Sequence, residues 1–328
     1  MVMPAEWARH ERTLMAWPCR TELWGDLLED ARRDHAAVAS AIAAFEPVTM
    51  VANPGEQAAR ARSALTAENV EIIELTIDDS WLRDSGPIFT LGATGTRIGV
   101  HFGFNAWGEK FSPWDSDHAA GGVLAERYGD AVDLAPFVLE GGSIAVDGAG
   151  TLITTEECLL HPSRNPSMSK EQIEAGLIEY LGVQRVVWLE KGLVEDRDTD
   201  GHVDLIAAFT APGEVLLQAG PPGTEDEERM EVNRERLEAA GLAVQRLDVL
   251  AFVEVAGEPI AVSHMNFYLA NGAVIVPLTG RETDAEALSV IGAAYPGREV
   301  VGVPGAVLAY GGGGPHCITQ QVPERNHA

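Results

Sequence analysis

Helix-forming segments recur along this 328-residue chain at a nearly fixed interval, and no other feature limits its fold so strongly. They begin near Gly55 (GEQAARARSALTAE), Ser116 (SDHAAGGVLAERYG), Ser169 (SKEQIEAGLIEYLG), Thr224 (TEDEERMEVNRERLEAAG) and Arg281 (RETDAEALSVIGAAYPG), at spacings of 61, 53, 55 and 57 residues. Three open on Ser or Thr, whose side-chain oxygen can accept from the first turn, and four end at Gly, which tolerates a left-handed terminal residue. Between them lie extended runs such as PVTMVANP, VEIIELTI, TRIGVHFGF, RVVWLE, HVDLIAAFTAPGEVLLQAGP, MNFYLANGAVIVPLTG and REVVGVPGAVLA. DGAG at 147–150, APGE at 211–214 and ANGA at 270–273 read as hairpin turns. Each unit is two or three strands plus a helix. Repeated about five times, such a unit predicts an α/β fold of five units set around an axis rather than an open doubly wound sheet. No linker rich in Ser, Pro or like charges divides the chain, so one domain is expected over residues 1–328, with 1–45 as an N-terminal lead-in that carries a helix.

Charge and cysteine content narrow the function. Fifty acidic against twenty-three basic side chains give a net charge of −27, with Lys110, Lys170 and Lys191 the only lysines. Nucleic acid is a poor partner for this surface, because phosphate binding depends on basic side chains displacing counterions. A field of this sign would raise the local concentration of a small cation, or it serves only solubility; composition leaves both open. The longest nearly apolar run, residues 36–45, is about half of the ~20 residues that span a bilayer, so no membrane segment is expected. Glu6, Arg9, Glu11 and Arg12 interrupt the place where a signal peptide needs an apolar stretch, and a cytoplasmic protein is expected. Cys19, Cys158 and Cys317 are far apart and odd in number, which argues against a disulfide framework.

Motifs for nucleotide phosphates, serine hydrolysis and structural zinc are missing: there is no GxxxxGK[ST], GxSxG, HExxH or CxxC, and Cys158 with His161 is a lone CxxH. Four segments place reactive side chains beside glycines or at strand ends: WLRDSGP (81–87), LEGGS (139–143), DGHVD (200–204) and GGGGPHC (311–317). Four successive glycines suggest an unusual backbone or a close approach to something bulky. Cys317 after them, beside His316, could be an exposed thiolate favoured by a neighbouring cation, although from this segment alone an ordinary buried Cys behind a glycine loop is the favoured reading. His202 and Asp204, two residues apart in a strand-like run, would share one face. Asp84 and Glu140 supply two more carboxylates, although either alone could be a turn or loop charge. Together the segments hold a nucleophile, an acid/base and three carboxylates. That inventory suits a guanidinium, a planar cation that pairs bidentately with carboxylates while a thiolate attacks its central carbon.

At these residues the sequence resembles the agmatine deiminase family of the guanidino-group-modifying superfamily, which includes peptidylarginine deiminases, arginine deiminases and amidinotransferases. The likeness runs through MPAEWARHERTLMAWP, DDSWLRDSGP, FGFNAWGEKFSPWD, LEGGSIAVDGAGTLITTEECLLHPSRNP, TDGHVD and GGGGPHCITQQVP. It implies a pentein, five ββαβ units around a pseudo-fivefold axis. By motif, Cys317 matches the family nucleophile, His202 the general acid/base, and Asp84 and Asp204 the guanidinium-binding carboxylates. Trp81 and Glu140 match positions that the family places at the substrate. The implied reaction is hydrolysis through a covalent Cys317 thiouronium, turning agmatine into N-carbamoylputrescine and ammonia with no metal and no organic cofactor. Leu205 and Pro315 depart from the residues that many relatives carry there, as does Trp114, where a Tyr is common. The alternatives are a deiminase or amidinotransferase for another guanidine, and a non-catalytic pentein that only binds. Glu195, Asp196 and Asp198 could meet a distal ammonium or form a solvated loop run. A small cationic guanidino compound is the expected partner, without nucleic acid or membrane, and the oligomeric state is left open, a homo-oligomer included.

Overall fold

The structure is a computed structural model that describes residues 1–325. Its plan starts from the three predicted hairpins, which pair Ile144–Val146 with Thr151–Thr155, Ala207–Ala211 with Glu214–Gln218, and Tyr268–Ala270 with Ala273–Leu278. From the second strand of each, a helix carries the chain back to a third strand that pairs in parallel. Lys170–Leu181 leads to Arg185–Leu189, Glu225–Ala239 to Ala243–Leu247, and Asp284–Ala294 to Glu299–Pro304. Ile88–Leu91, Arg97–Gly103, the helix Asp115–Tyr128 and Ala131–Val138 follow the same plan. The helices bury one stripe each against these sheets; Ile173, Leu177 and Leu181, for example, pack with Leu152, Val183 and Phe137.

The remaining sheet is built from both ends of the chain. Its order is Thr319–Pro323, His10–Ala16, Val48–Ala52, Val70–Glu74. The C-terminal strand runs antiparallel to His10–Ala16, which pairs in parallel with Val48–Ala52 after the crossover helix Leu28–Ala43. Two expectations are corrected here. Residues 1–45 carry the expected helix, Leu28–Ala43, but they are part of a sheet rather than a lead-in to the fold, because His10–Ala16 is an interior strand; Leu14, Met15 and Ala16 favour helix locally, and pairing on both sides overrides that preference. The helix Glu56–Ala64 is an additional crossover to the edge strand Val70–Glu74, so the interval of 61 residues does not belong to the repeat, whose terminal member is Leu28–Ala43.

Local signals held unevenly. Ser169 caps its helix in a capping box with Gln172, Thr224 accepts from Glu227 N, and Gly182 ends a helix in the left-handed conformation. Ser116 is no cap, since that helix begins at Asp115 behind Trp114. VPGAVLA turns from strand into the short helix Ala306–Tyr310, where Pro304 and Gly305 stop the ladder. A hairpin of Ala251–Val255 and Glu258–Val262 lies outside the repeated plan and was not anticipated. Cys19, Cys158 and Cys317 are all free, and among the described residues no helix is long and apolar enough to cross a membrane.

Candidate active site

Each of the four motif segments leaves regular structure where its reactive side chain is presented. Trp81 precedes the short helix Leu82–Ser85, Glu140 the 3-10 turn Gly141–Ser143, and His202 the 3-10 turn Val203–Leu205. Cys317 lies between the helix Ala306–Tyr310 and the strand Thr319–Pro323. His202 and Asp204 therefore do not share a strand face as the spacing suggested; a tight turn brings them to one cavity instead. The segments are tied to one another by main chain, with Arg83 N donating to Cys317 O at 3.2 Å.

Gly142 sits where they meet. A Cβ there would lie 2.7 Å from His202 Nδ1, 2.9 Å from Asp204 Oδ2 and 2.9 Å from Asp84 Oδ1. Around that point, Asp84 Oδ1 accepts from Gly142 N at 2.9 Å, and the Cys317 thiol donates to Asp204 Oδ2 at 3.3 Å. His202 is fully buried, with Nδ1 3.9 Å from Asp84 Oδ1 and Nε2 3.9 Å from Glu140 Oε2, and neither ring nitrogen has a hydrogen-bond partner. Asp204 Oδ1 is likewise buried and unpartnered. Trp81 stacks on Trp24 with centroids 5.8 Å apart. A Cβ on Gly313 would come within 2.9 Å of Trp81 and 2.7 Å of Cys317 Sγ, so the glycine run allows the thiol and the indole to close around its backbone.

Several supporting residues carried no role in the sequence. Trp107 donates its indole N–H to Asp84 Oδ2 at 2.9 Å, from a segment in which Ala106, Trp107, Gly108 and Glu109 all have positive φ. Arg164, with a fully buried side chain, donates from Nε to Glu140 Oε1 at 2.7 Å and also holds Asp200 and Thr199 O. Asn266 donates to Cys317 Sγ at 3.1 Å and accepts from Cys317 N at 3.3 Å. Their motifs FGFNAWGEK, HPSRNP and MNFYLANG were visible, but only tertiary contacts give the side chains a job.

Burial governs the electrostatics. It pushes the Cys317 thiol well above its usual range, and the nearby Asp204 and Asp84 carboxylates push it further. Of the two readings of Cys317, the structure takes the buried one: the side chain is 3% exposed and its thiol faces Asp204 Oδ2 rather than solvent. Burial also raises Asp84, with His202 opposing and Asp204 and Glu140 adding to the rise. Asp204 moves the other way, because its hydrogen bond to His316 and the charges of His316 and His202 outweigh its burial.

A cleft of about 240 Å³ opens beside these groups and reaches them at Asn266 and Gly313. Glu195, Asp198 and Glu258 line it, together with Leu205 and Tyr310. Asp196 is spent on its own loop, accepting from His202 N at 2.8 Å and from the Thr199 hydroxyl. Among the described residues the one group with metal-ligand character is Glu140, Cys158 and His202, whose ligand atoms lie within 4.8 Å of one another. Glu140 in that group is already ion-paired through Oε1 with the buried Arg164.

The whole chain is similar to known proteins in sequence and in fold. The agmatine deiminase of Stutzerimonas stutzeri is 43% identical over 98% of this chain and 95% of its own length, and that of Pseudomonas aeruginosa is 42% identical with the same coverage. The solved agmatine deiminase of Enterococcus faecalis superposes with a TM-score of 0.92 at 35% identity, covering 99% of this chain and 96% of that one. The family model of the Porphyromonas-type peptidyl-arginine deiminases matches residues 2–323, and the chain belongs to that family.

Proposed function

We propose that this protein hydrolyses the guanidinium group of agmatine to N-carbamoylputrescine and ammonia. One observation carries the reading: Asp84, Glu140 and Asp204 are buried within reach of one imidazole and one thiol, and Asp204 Oδ1 and both nitrogens of His202 have no partner. Glu140 is already paired with Arg164 and one oxygen of Asp204 with His316, so the free Asp204 oxygen and the unpartnered imidazole beside Asp84 are the groups left to meet a planar cation. The chain's likeness to the agmatine deiminases and the acidic lining of the cleft, Glu195, Asp198 and Glu258, support a substrate whose tail is cationic too.

In this mechanism the guanidinium pairs with Asp84 and Asp204, and its charge offsets the carboxylates that hold the Cys317 proton in place. His202 takes that proton, and Sγ bonds to the guanidinium carbon. The C–N bond then breaks as His202 returns the proton to the departing nitrogen, leaving a thiouronium on Cys317. Water, giving one proton to His202, attacks the same carbon; the C–S bond breaks as His202 passes that proton to Sγ, and the second water proton is lost to the released ammonia, leaving the neutral ureido product and the thiol. Glu140, fixed by Arg164, and Trp81 bound the substrate.

We further propose that residues 1–328 form a single catalytic domain, the last three lying outside the described residues, with its sheets set as a pentein about a pseudo-fivefold axis. The test is ammonia release from agmatine, arginine and 4-guanidinobutyrate in parallel. Turnover of agmatine is expected, falling at least about 10⁴-fold in Cys317→Ser. Turnover of arginine or the acid without agmatine would overturn the substrate; near-normal turnover by Cys317→Ser would overturn the mechanism.

A further inference from the structure

Beyond the groups that face the substrate, a buried chain of ions runs from the site to the N-terminal MPAEW segment. His316, 5% exposed, has Nδ1 2.8 Å from Asp204 Oδ2 and Nε2 2.8 Å from Glu6 Oε1. Both partners are carboxylates, which only accept when ionised. Both ring nitrogens must then carry hydrogen, so the geometry describes an imidazolium flanked by two anions. The remaining charged group against it is Arg83, whose Nε donates to His316 O at 3.2 Å and whose Nη1 lies 3.6 Å from Glu6 Oε1.

The consequence falls on Asp204. Its Oδ2 is engaged twice, by His316 and by the Cys317 thiol, whereas Oδ1 is buried and unpartnered. A carboxylate with one oxygen pinned has one orientation left for the other. We propose that His316 is a positioning residue, kept doubly protonated by Glu6, that fixes Asp204 with Oδ2 at the thiol and Oδ1 toward the guanidinium. This rests on the guanidine-hydrolysis reading, but gives the N-terminal motif a role in it that the reacting groups do not require. The directions agree: the Asp204 and Glu6 carboxylates raise His316 against its burial and the Arg83 charge, and Glu6 is held down at about 2 against its own burial by His316 and Arg83.

Side-chain ¹⁵N NMR on the wild-type protein tests this without any variant. His316 is expected to keep both nitrogens protonated to a pH above the ordinary titration of histidine near 6.5. In Glu6→Gln, the ring should lose its proton at least about one pH unit lower than in wild type, and the alkaline limb of kcat/KM for agmatine should move down with it. His316→Ala removes the N–H that pins Asp204 and should lower kcat about 100-fold, the scale of a misplaced reacting group, and His316→Asn, which can return an N–H without the charge, should recover part of that loss. Glu6→Gln should then add nothing further to His316→Ala in the double variant. A wild-type His316 that titrates near 6.5, or additive effects of the two substitutions, would overturn the proposal. Wild-type turnover in the same assay separates that outcome from a failure of the agmatine reading itself.

Discussion

Gly142 occupies the point on which His202, Asp84 and Asp204 converge, and only hydrogen fits there. Its φ is not in the left-handed region, so alanine would meet no backbone strain, and the effect of a methyl group can be isolated. At 2.7–2.9 Å from three polar atoms the methyl must displace the imidazole or a carboxylate by several tenths of an ångström. Gly142→Ala should leave the thermal unfolding midpoint within a few degrees of wild type while lowering kcat/KM for agmatine about 100-fold, since small misplacements of reacting groups are costly. Unchanged kinetics in a folded Gly142→Ala protein would show that the site does not close around this residue. At this scale the sequence was informative about which side chains meet: WLRDSGP, LEGGS, DGHVD and GGGGPHC each bring the side chain for which they were singled out to one cavity. Trp107, Arg164 and Asn266 were not legible, because each acts on a partner more than twenty residues away, and nothing in FGFNAWGEK, HPSRNP or MNFYLANG names that partner.

The loop that leads into Trp81 is docked on the start of the helix Asp115–Tyr128 by buried acids. Asp117 Oδ1 accepts from Asp78 N at 2.8 Å and Asp79 N at 3.0 Å, and Asp79 pairs with Arg20 Nε at 2.7 Å. Burial raises Asp117 to about 7 against those backbone hydrogen bonds, with the Asp79 and Asp78 charges adding to the rise. Taking the unfolded value as 3.8, the native state holds more protons than the unfolded one between these pH values, so the contribution of Asp117 to stability falls as pH rises through the window. Asn at 117 keeps the accepting oxygen and removes the charge. Urea midpoints of Asp117→Asn should therefore decline less steeply than those of wild type between pH 4 and 7, with the variant at least as stable at pH 8; parallel curves would mean that Asp117 is not proton-linked to folding. Elements of this kind were only half legible. Helix starts and hairpin turns have local causes that a sequence carries, whereas His10–Ala16 reads as helix-compatible until strands from both sides claim it.

The closure of the chain on itself belongs to the whole molecule. Thr319–Pro323 follows the nucleophile directly, pairs with His10–Ala16 at the opposite end of the sequence, and is bonded to the neighbouring sheet through Gln320 Nε2 to Pro87 O at 2.8 Å and Arg97 Nη1 to Pro323 O at 2.7 Å. Those partners are 233 and 226 residues away along the chain. The fully buried Val322 packs in one cluster with Leu14, Val51, Leu82, Phe89 and Leu124, which come from both sheets, from the short helix Leu82–Ser85 and from the crossover helix Asp115–Tyr128. A carboxylate at Val322 would be buried among these side chains, with its cross-strand neighbour Arg12 already engaged by Thr49 and Glu71, and a buried charge without its own partner costs about 3–5 kcal/mol against a total stability of about 5–15 kcal/mol. Val322→Asp should therefore lower the stability of the whole fold in one cooperative transition, with far- and near-ultraviolet circular dichroism lost together and turnover lost with them. Phe252→Ser, on the hairpin outside the repeated plan and 45% exposed, should change the midpoint little. If Val322→Asp abolished turnover yet melted like wild type, the terminal strand would be a local support for Cys317 rather than the seam that joins the two ends of the protein.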